Sequence, residues 1–324
     1  MTTVPQKTKS RYTSTVEECD VIGRPALVEY RNKRDQWLRW YELQNDEPNS
    51  IQQQIFSMIF LDMAYRILAE PRKNTNEGLK VAARSGLLGH FIDQGYVATQ
   101  VLAIRKLLDK RPDVISVRRL LDDICKYRHL LTREIYVCYD GLPYDSDFWQ
   151  TLPQSVETQI WGIEAPGLGN YLGARMRHEA FDRLSGIPPS ERKRSDLIKD
   201  SIFEKSKQWL ETSPAEKLIT LSHKFFAHAA DMDSRGSLEY SGVSLADIAE
   251  VHRAIVRVER AITDQLLFIE VARDVVPMPP LGLLQGLDSP YVSANSITNM
   301  QSHWDQLATE RDKWRNGIAD ELCA

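Results

Sequence analysis

Residues 221–231 place two imidazoles, an ammonium and a carboxylate along an otherwise apolar segment with helical character. These groups belong to His223, His228, Lys224 and Asp231. Histidine is the side chain whose unperturbed pKa lies near physiological pH, so such a cluster can accept and donate protons. The segment predicts a proton-transfer site, and the alternative interpretation is a core helix with polar edges.

His228 continues an apolar stripe formed by Leu218, Leu221 and Phe225, because these residues follow one another at intervals of three or four. The stripe places His228 at the edge of a core or of an interface. A histidine satisfied inside the core is the alternative. His223 lies on another face of the helix, and the five-residue separation of the two histidines does not match the spacing of a zinc-binding HExxH motif. We therefore predict no metal ligand here.

A second group of candidate residues consists of the cations in residues 100–124, in two helices and the turn that joins them. Guanidinium groups match phosphate oxygens in pairs, so these cations could bind a phosphodiester. Aspartates are interleaved with them, however, and local ion pairing is the equally weighted alternative. The cations are Arg105, Lys106, Lys110, Arg111, Arg118 and Arg119, and the aspartates are Asp109, Asp113, Asp122 and Asp123.

The elements that must position these residues all have helical periodicity, and no stretch alternates like a strand. We predict helices over 51–68, 82–108, 117–135, 196–210 and 245–269, with a short helix at 171–184 and a final helix containing Trp304, Leu307 and Trp314. Ser50, Ser116, Ser213 and Ser244 are the predicted helix caps. The expected fold is all-α, an antiparallel helical bundle with a loop-rich insertion.

Three segments are predicted along the chain. Residues 1–48 form an N-terminal arm that includes an amphipathic piece at 29–43. Residues 49–272 form the helical domain, with the insertion at about 138–195. Residues 273–324 form a proline-rich strap followed by the C-terminal helix.

The composition and net charge of the chain indicate which classes of protein it can belong to. The chain has 324 residues and a net charge of −4, so no global field attracts nucleic acid or an anionic membrane. Its 4 cysteines are scattered, which fits a reducing cytoplasm rather than a disulfide framework. Charged residues interrupt the apolar run at 51–68, and the polar residues 1–14 lack the apolar core that a signal peptide would have. We expect a cytoplasmic protein with no membrane partner.

Residues 103–124, followed much later by Lys224-Phe225-Phe226-Ala227-His228 and a long amphipathic helix, resemble the HEPN superfamily, with the closest likeness to its AbiU-type branch of phage abortive-infection proteins. The resemblance spans about residues 50–272. It implies a helical bundle that forms a homodimer with the motifs at the interface. It also implies RNA as the substrate, a toxin or defence role and an antitoxin or other protein as a further partner. Neither metal nor cofactor is implied.

In active members of this family, a histidine transfers the proton when a ribose 2′-hydroxyl attacks the phosphate. An arginine stabilises the negative charge that develops on that phosphate. His228 matches the family histidine. The arginine position falls at Leu221, Ser222 or His223, none of which is arginine, so His223 or Lys224 would supply the positive charge. Substrate binding is expected at three arginines of the neighbouring helices, Arg105, Arg118 and Arg119.

Two functional hypotheses follow from the resemblance. The first is a metal-independent endoribonuclease acting as a toxin or phage-defence effector. The second is a non-catalytic dimeric module that binds RNA or protein and lacks the motif arginine. A purely structural helical bundle is the third possibility.

Overall fold

The computed structural model describes residues 11–42, 49–70, 87–145, 168–222, 243–269, 275–276, 278–279, 281–285 and 294–323. The prediction of an all-α fold is confirmed. Within these ranges the chain forms helices and no strand, and Thr132 and Leu197 make an isolated antiparallel bridge. In chain order the α-helices are α1 (Arg24–Tyr41), α2 (Ile51–Ala69), α3 (Leu87–Leu108), α4 (Val117–Lys126), α5 (Arg133–Cys138), α6 (Leu168–Ser185), α7 (Asp200–Thr212), α8 (Ala215–Leu221), α9 (Leu245–Arg260), α10 (Ala294–Asp312) and α11 (Ile318–Cys323).

The chain divides into two compact units. The first unit contains Met1–Gln36, Ile124–Ile202 and Cys323–Ala324, and the second contains Trp37–Asp123 and Phe203–Leu322. This division groups the residues differently from the three predicted segments, because the start of the chain belongs to the same unit as the region around the predicted insertion. The helix predicted at 171–184 is confirmed as α6.

In the second unit, α3 packs against α2, α8 and α9, and α10 packs against α2. The buried positions of α2 follow the helical repeat and include Ile51, Ile55 and Met58. The next position on this stripe, Asp62, is a carboxylate, and it too is fully buried. An ionised group inside a core needs partners that replace its water.

Those partners come from several helices. Tyr96 of α3 donates its hydroxyl to Asp62 at 2.5 Å, and Arg311 of α10 donates Nη2 at 2.6 Å. Arg66, one turn along α2, donates Nε to both carboxylate oxygens at 3.0 Å. His252 of α9 lies 4.0 Å from the carboxylate. We call these five residues the Asp62 cluster, and it links α2, α3, α9 and α10.

The first unit is also organised by buried arginines. Arg133, at the start of α5, is fully buried and binds Asp196 at 2.8 Å and Asp182 of α6 at 2.6 Å. Arg177 of α6 makes two hydrogen bonds of 2.7 Å to Asp140. Paired guanidinium–carboxylate contacts of this kind fix geometry as well as charge, and α5 and α6 pack together around them.

The hydrogen bonds at the helix starts show which of the predicted caps form. Ser50 accepts from the backbone of Gln53, Ser116 accepts from the backbone of Arg119, and Ser244 forms a reciprocal capping box with Asp247, so these three predictions are confirmed. The prediction for Ser213 is wrong: Pro214 is the residue that precedes α8, and the Ser213 hydroxyl donates to Leu210 instead.

The helix predicted over 117–135 is interrupted in the structure. It ends with α4 at Lys126, a short 3₁₀ turn follows at Arg128–Leu130, and α5 begins at Arg133. Thr132 caps α5 by accepting from the backbone of Ile135, which offers the chain a new helix start. No glycine or proline marks this break, so helical periodicity alone did not reveal it.

The long helix predicted over 245–269 changes its geometry near its end. After α9 the chain forms a π-helical turn, Ala261–Leu266, and Phe268 then adopts a positive φ of 45°. A π turn shifts the helical register, and such turns are frequent at functional sites. Next to it, the Tyr41 hydroxyl donates to Glu259 at 2.5 Å inside the core.

Candidate functional site

The three predicted catalytic residues, His223, Lys224 and His228, lie outside the described residues. The helix that leads into them is described. Leu218 and Leu221 of α8, the first members of the predicted stripe, are fully buried, and α8 packs along α3. The structure therefore packs α8, the helix that precedes Lys224–His228 in the chain, against α3, which contains the start of the other segment of the HEPN resemblance.

A groove of about 190 Å³ lies where α8 meets the end of α3, and we call it the α3–α8 groove. Its apolar lining includes Leu108 at the end of α3 and Ile219 of α8. Its cations are Lys110 and Arg118, and its acids are Glu211 and Glu216. The groove is thus amphipathic, with one exposed lysine at the turn between α3 and α4.

Two of the predicted substrate-binding arginines have contacts within the protein. Arg118 donates Nε to Asp122 at 3.1 Å, and its Nη1 lies 3.6 Å from Glu211. Arg119 donates to the Val114 carbonyl at 2.6 Å, and its guanidinium lies 4.1 Å from the ring centre of Trp40. Local ion pairing, the alternative interpretation of the basic helix pair, therefore applies to Arg118.

The remaining cations of this region are less engaged. Arg105 is half-buried and Lys110 is exposed, and neither forms an ion pair with another residue in the described part of the chain. Arg118 and Lys110 line the α3–α8 groove, whereas Arg105 and Arg119 do not. Of the three predicted substrate-binding arginines, the structure places Arg118 at the groove.

Buried ionisable groups are a second kind of candidate, because active sites often shift pKa values. Burial lowers the pKa of His252 to about 4, so its imidazole is neutral at pH 7. Burial opposes ionisation of Asp62, but His252, Arg66 and Arg311 hold the pKa of that carboxyl below its usual value. Both side chains are fully buried and line neither of the described grooves, so we assign the Asp62 cluster a structural role.

Sequence reasoning missed one further groove. It has a volume of about 280 Å³, and Trp209 of α7 and Arg253 and Arg257 of α9 contribute to its lining. The four-residue spacing of the two arginines was a visible signal, since it places both on one helical face. The tryptophan that completes the groove comes from another helix and could not be associated with them from the sequence.

Among the described residues, no group of three histidine, cysteine, aspartate or glutamate side chains is arranged to hold a metal ion. No described helix has the length and apolar character needed to cross a bilayer. Comparison of the chain with protein-family models, curated proteins and solved structures gave no match. The HEPN resemblance therefore stays a prediction from the sequence.

Proposed function

We propose that this protein is an RNA-binding module of the HEPN type, acting as a homodimer and using the α3–α8 groove as part of its RNA surface. The observation that supports this proposal is the packing of α8 on α3. That packing joins the helix leading into the His223–His228 region to the turn that carries Lys110. A lysine without a described acidic partner, at the edge of an amphipathic groove, suits a phosphodiester and its ribose.

RNA cleavage is the second candidate, and it depends on His228. In that reaction the imidazole removes the proton from a ribose 2′-hydroxyl, whose oxygen attacks the adjacent phosphorus while the 5′-oxygen leaves. A cation must offset the charge on the phosphate, and Lys224, His223 or Lys110 would have to supply it. Since lysine lacks the paired donors of arginine, we place binding ahead of cleavage in the proposal.

Binding is tested by fluorescence anisotropy of a labelled single-stranded RNA titrated with the protein at several salt concentrations. Each phosphate contact releases counterions, so affinity should fall steeply with salt. Lys110→Gln should weaken RNA binding. Because one phosphate contact is lost, it should also reduce the slope of log K against log salt concentration by about one. Lys126→Gln, which removes an exposed lysine of α4 that is not among the residues lining the groove, is the matched control. Salt-independent or absent RNA binding would refute the proposal and favour a protein partner.

Cleavage is tested separately by incubating RNA with the protein in the presence of a chelator. The endoribonuclease hypothesis expects cleavage by the natural protein and its loss in His228→Ala. Equal cleavage by both proteins would assign the activity to another residue or to a contaminant. Absence of cleavage together with salt-dependent binding would leave the non-catalytic module as the function.

A further inference from the structure

The second groove, which we call the Trp209 groove, lies between the C-terminal part of α7 and one face of α9. Its walls include the indole of Trp209, the Pro214 ring and Ala254, and its charged lining consists of Glu250, Arg253 and Arg257. Its volume of about 280 Å³ is just below the range of small-molecule sites, roughly 300–1,000 Å³. A ligand of the size of one nucleotide fits this space, whereas a long ligand does not.

Arg257 and Trp209 form the fixed part of the groove. The guanidinium carbon lies 4.3 Å from the indole ring centre, a cation–π distance, and Arg257 also pairs with Glu321. Burial, followed by the like charge of Arg253, lowers the pKa of Arg257 from its ordinary value. Arg253 and Arg257 therefore place two guanidinium groups side by side on this face of α9, and Glu250 and Glu321 are their carboxylate partners.

Arg253 is the residue that can reach a ligand. Its side chain is 50% exposed, and its ion-pair partner, Glu250, is 4.0 Å away and 63% exposed. Such a contact is weak in water and leaves the guanidinium donors available. The hydroxyls of Ser213 and Thr212 donate to the backbone of α7, so their oxygens can still accept a hydrogen bond from a ligand.

We propose that the Trp209 groove binds a nucleoside phosphate, with the phosphate on Arg253 and the base against Trp209 and Pro214. Aromatic side chains stack on any base, and guanidinium groups bind phosphate oxygens in pairs. A simple anion would use Arg253 and leave the apolar wall without a role. An acidic peptide would use the cations and gain little from an indole surface.

Isothermal titration calorimetry with AMP, adenosine and inorganic phosphate tests the combination of the two contacts. AMP should bind more tightly than either fragment. Arg253→Gln should weaken AMP binding about tenfold or more, the value of a charge-assisted hydrogen bond. Arg128→Gln removes an arginine of similar exposure that pairs with Asp200 outside the groove, and it should leave binding unchanged.

Trp209 is tested with two substitutions. Trp209→Leu keeps an apolar side chain and removes the aromatic face, and it should weaken AMP binding about fivefold or more while phosphate binding stays the same. Trp209→Phe should restore much of the loss. Because Arg253 is exposed, Arg253→Gln tests the proposal even if Trp209→Leu disturbs the fold.

The source of the nucleotide is distinguished by adding a short single-stranded RNA with a 5′-phosphate. Tighter binding of this RNA than of AMP assigns the groove to an RNA end, and tighter binding of AMP assigns it to a free nucleotide. Equal affinity for inorganic phosphate and AMP would overturn the proposal, as would AMP binding unaffected by Arg253→Gln. Displacement of AMP by a glutamate-rich peptide of equal affinity would assign the groove to acidic peptides instead and overturn it too.

This inference does not depend on RNA binding at the α3–α8 groove. Lys110→Gln should leave AMP binding unchanged. Arg253→Gln should leave the salt dependence of RNA binding at the α3–α8 groove unchanged. The two variants therefore separate failure of the proposed function from failure of the nucleotide site.

Discussion

Replacing Asp62 by asparagine should destabilise the second unit strongly. The substitution keeps the size of the side chain but removes the only described carboxylate that binds Arg311 at hydrogen-bond distance, while Arg311 itself stays fully buried. An unmatched buried cation typically costs about 3–5 kcal/mol. Arg66 contributes less to this cost because its side chain is partly exposed and can turn toward solvent. We therefore expect Asp62→Asn to lower the free energy of unfolding by about 3–5 kcal/mol.

Urea denaturation followed by tryptophan fluorescence measures this change. The double variant Asp62→Asn with Arg311→Met tests the physical reason, because it removes both charges. Its cost should be smaller than the sum of the two single costs by about 1–3 kcal/mol. Asp113→Asn is the matched control: this carboxylate is 73% exposed and lies 4.0 Å from Arg111, so its loss should not change the urea midpoint. A change below about 1 kcal/mol for Asp62→Asn would refute the reasoning.

Two further predictions concern pH. His252 has a folded pKa of about 4, below the 6.5 of the unfolded chain, so it stabilises the fold fully above pH 6.5, and about 3 kcal/mol should be lost as the pH falls toward 4. In His252→Leu the loss of unfolding free energy between pH 6.5 and 4 should vanish in urea titrations. A pH dependence equal to that of the natural protein would show that His252 is not its cause. Burial raises the folded pKa of Glu259 to about 6, above its ordinary 4.5, so its contribution is lost as the pH rises through 6. The stability of Glu259→Gln relative to the natural protein should therefore rise by about 2 kcal/mol between pH 4.5 and 7, and a constant difference would show that folding does not raise the pKa of Glu259.

Local signals in the sequence predicted local structure well. Ser50 and Ser244 correctly predicted the starts of α2 and α9. A cap can be recognised from neighbouring sequence because it bonds a backbone group only three residues away. The break between α4 and α5 was missed, since its cause is the competing cap at Thr132 rather than a glycine or proline. The π turn after α9 was missed for a similar reason: the apolar stripe continues through it.

Contacts between distant residues could not be predicted. In the sequence Asp62 is an interruption of an apolar run, and its burial depends on Tyr96 and Arg311, which are 34 and 249 residues away. Likewise, Trp209 and Arg257 meet only because α7 and α9 lie together around one groove. The sequence left substrate binding and local ion pairing open for Arg118, and the structure shows its pairing with Asp122.

The span between Asp62 and Arg311 has a consequence for biosynthesis. At a translation rate of about 5–20 residues per second, the 249 residues between them take about 12–50 s to make. Throughout that interval the nascent chain carries a carboxylate on the apolar stripe of α2 without its arginine from α10. The second unit consequently completes its core late, and chaperones have about 12–50 s in which to bind the part of α2 that α10 will cover.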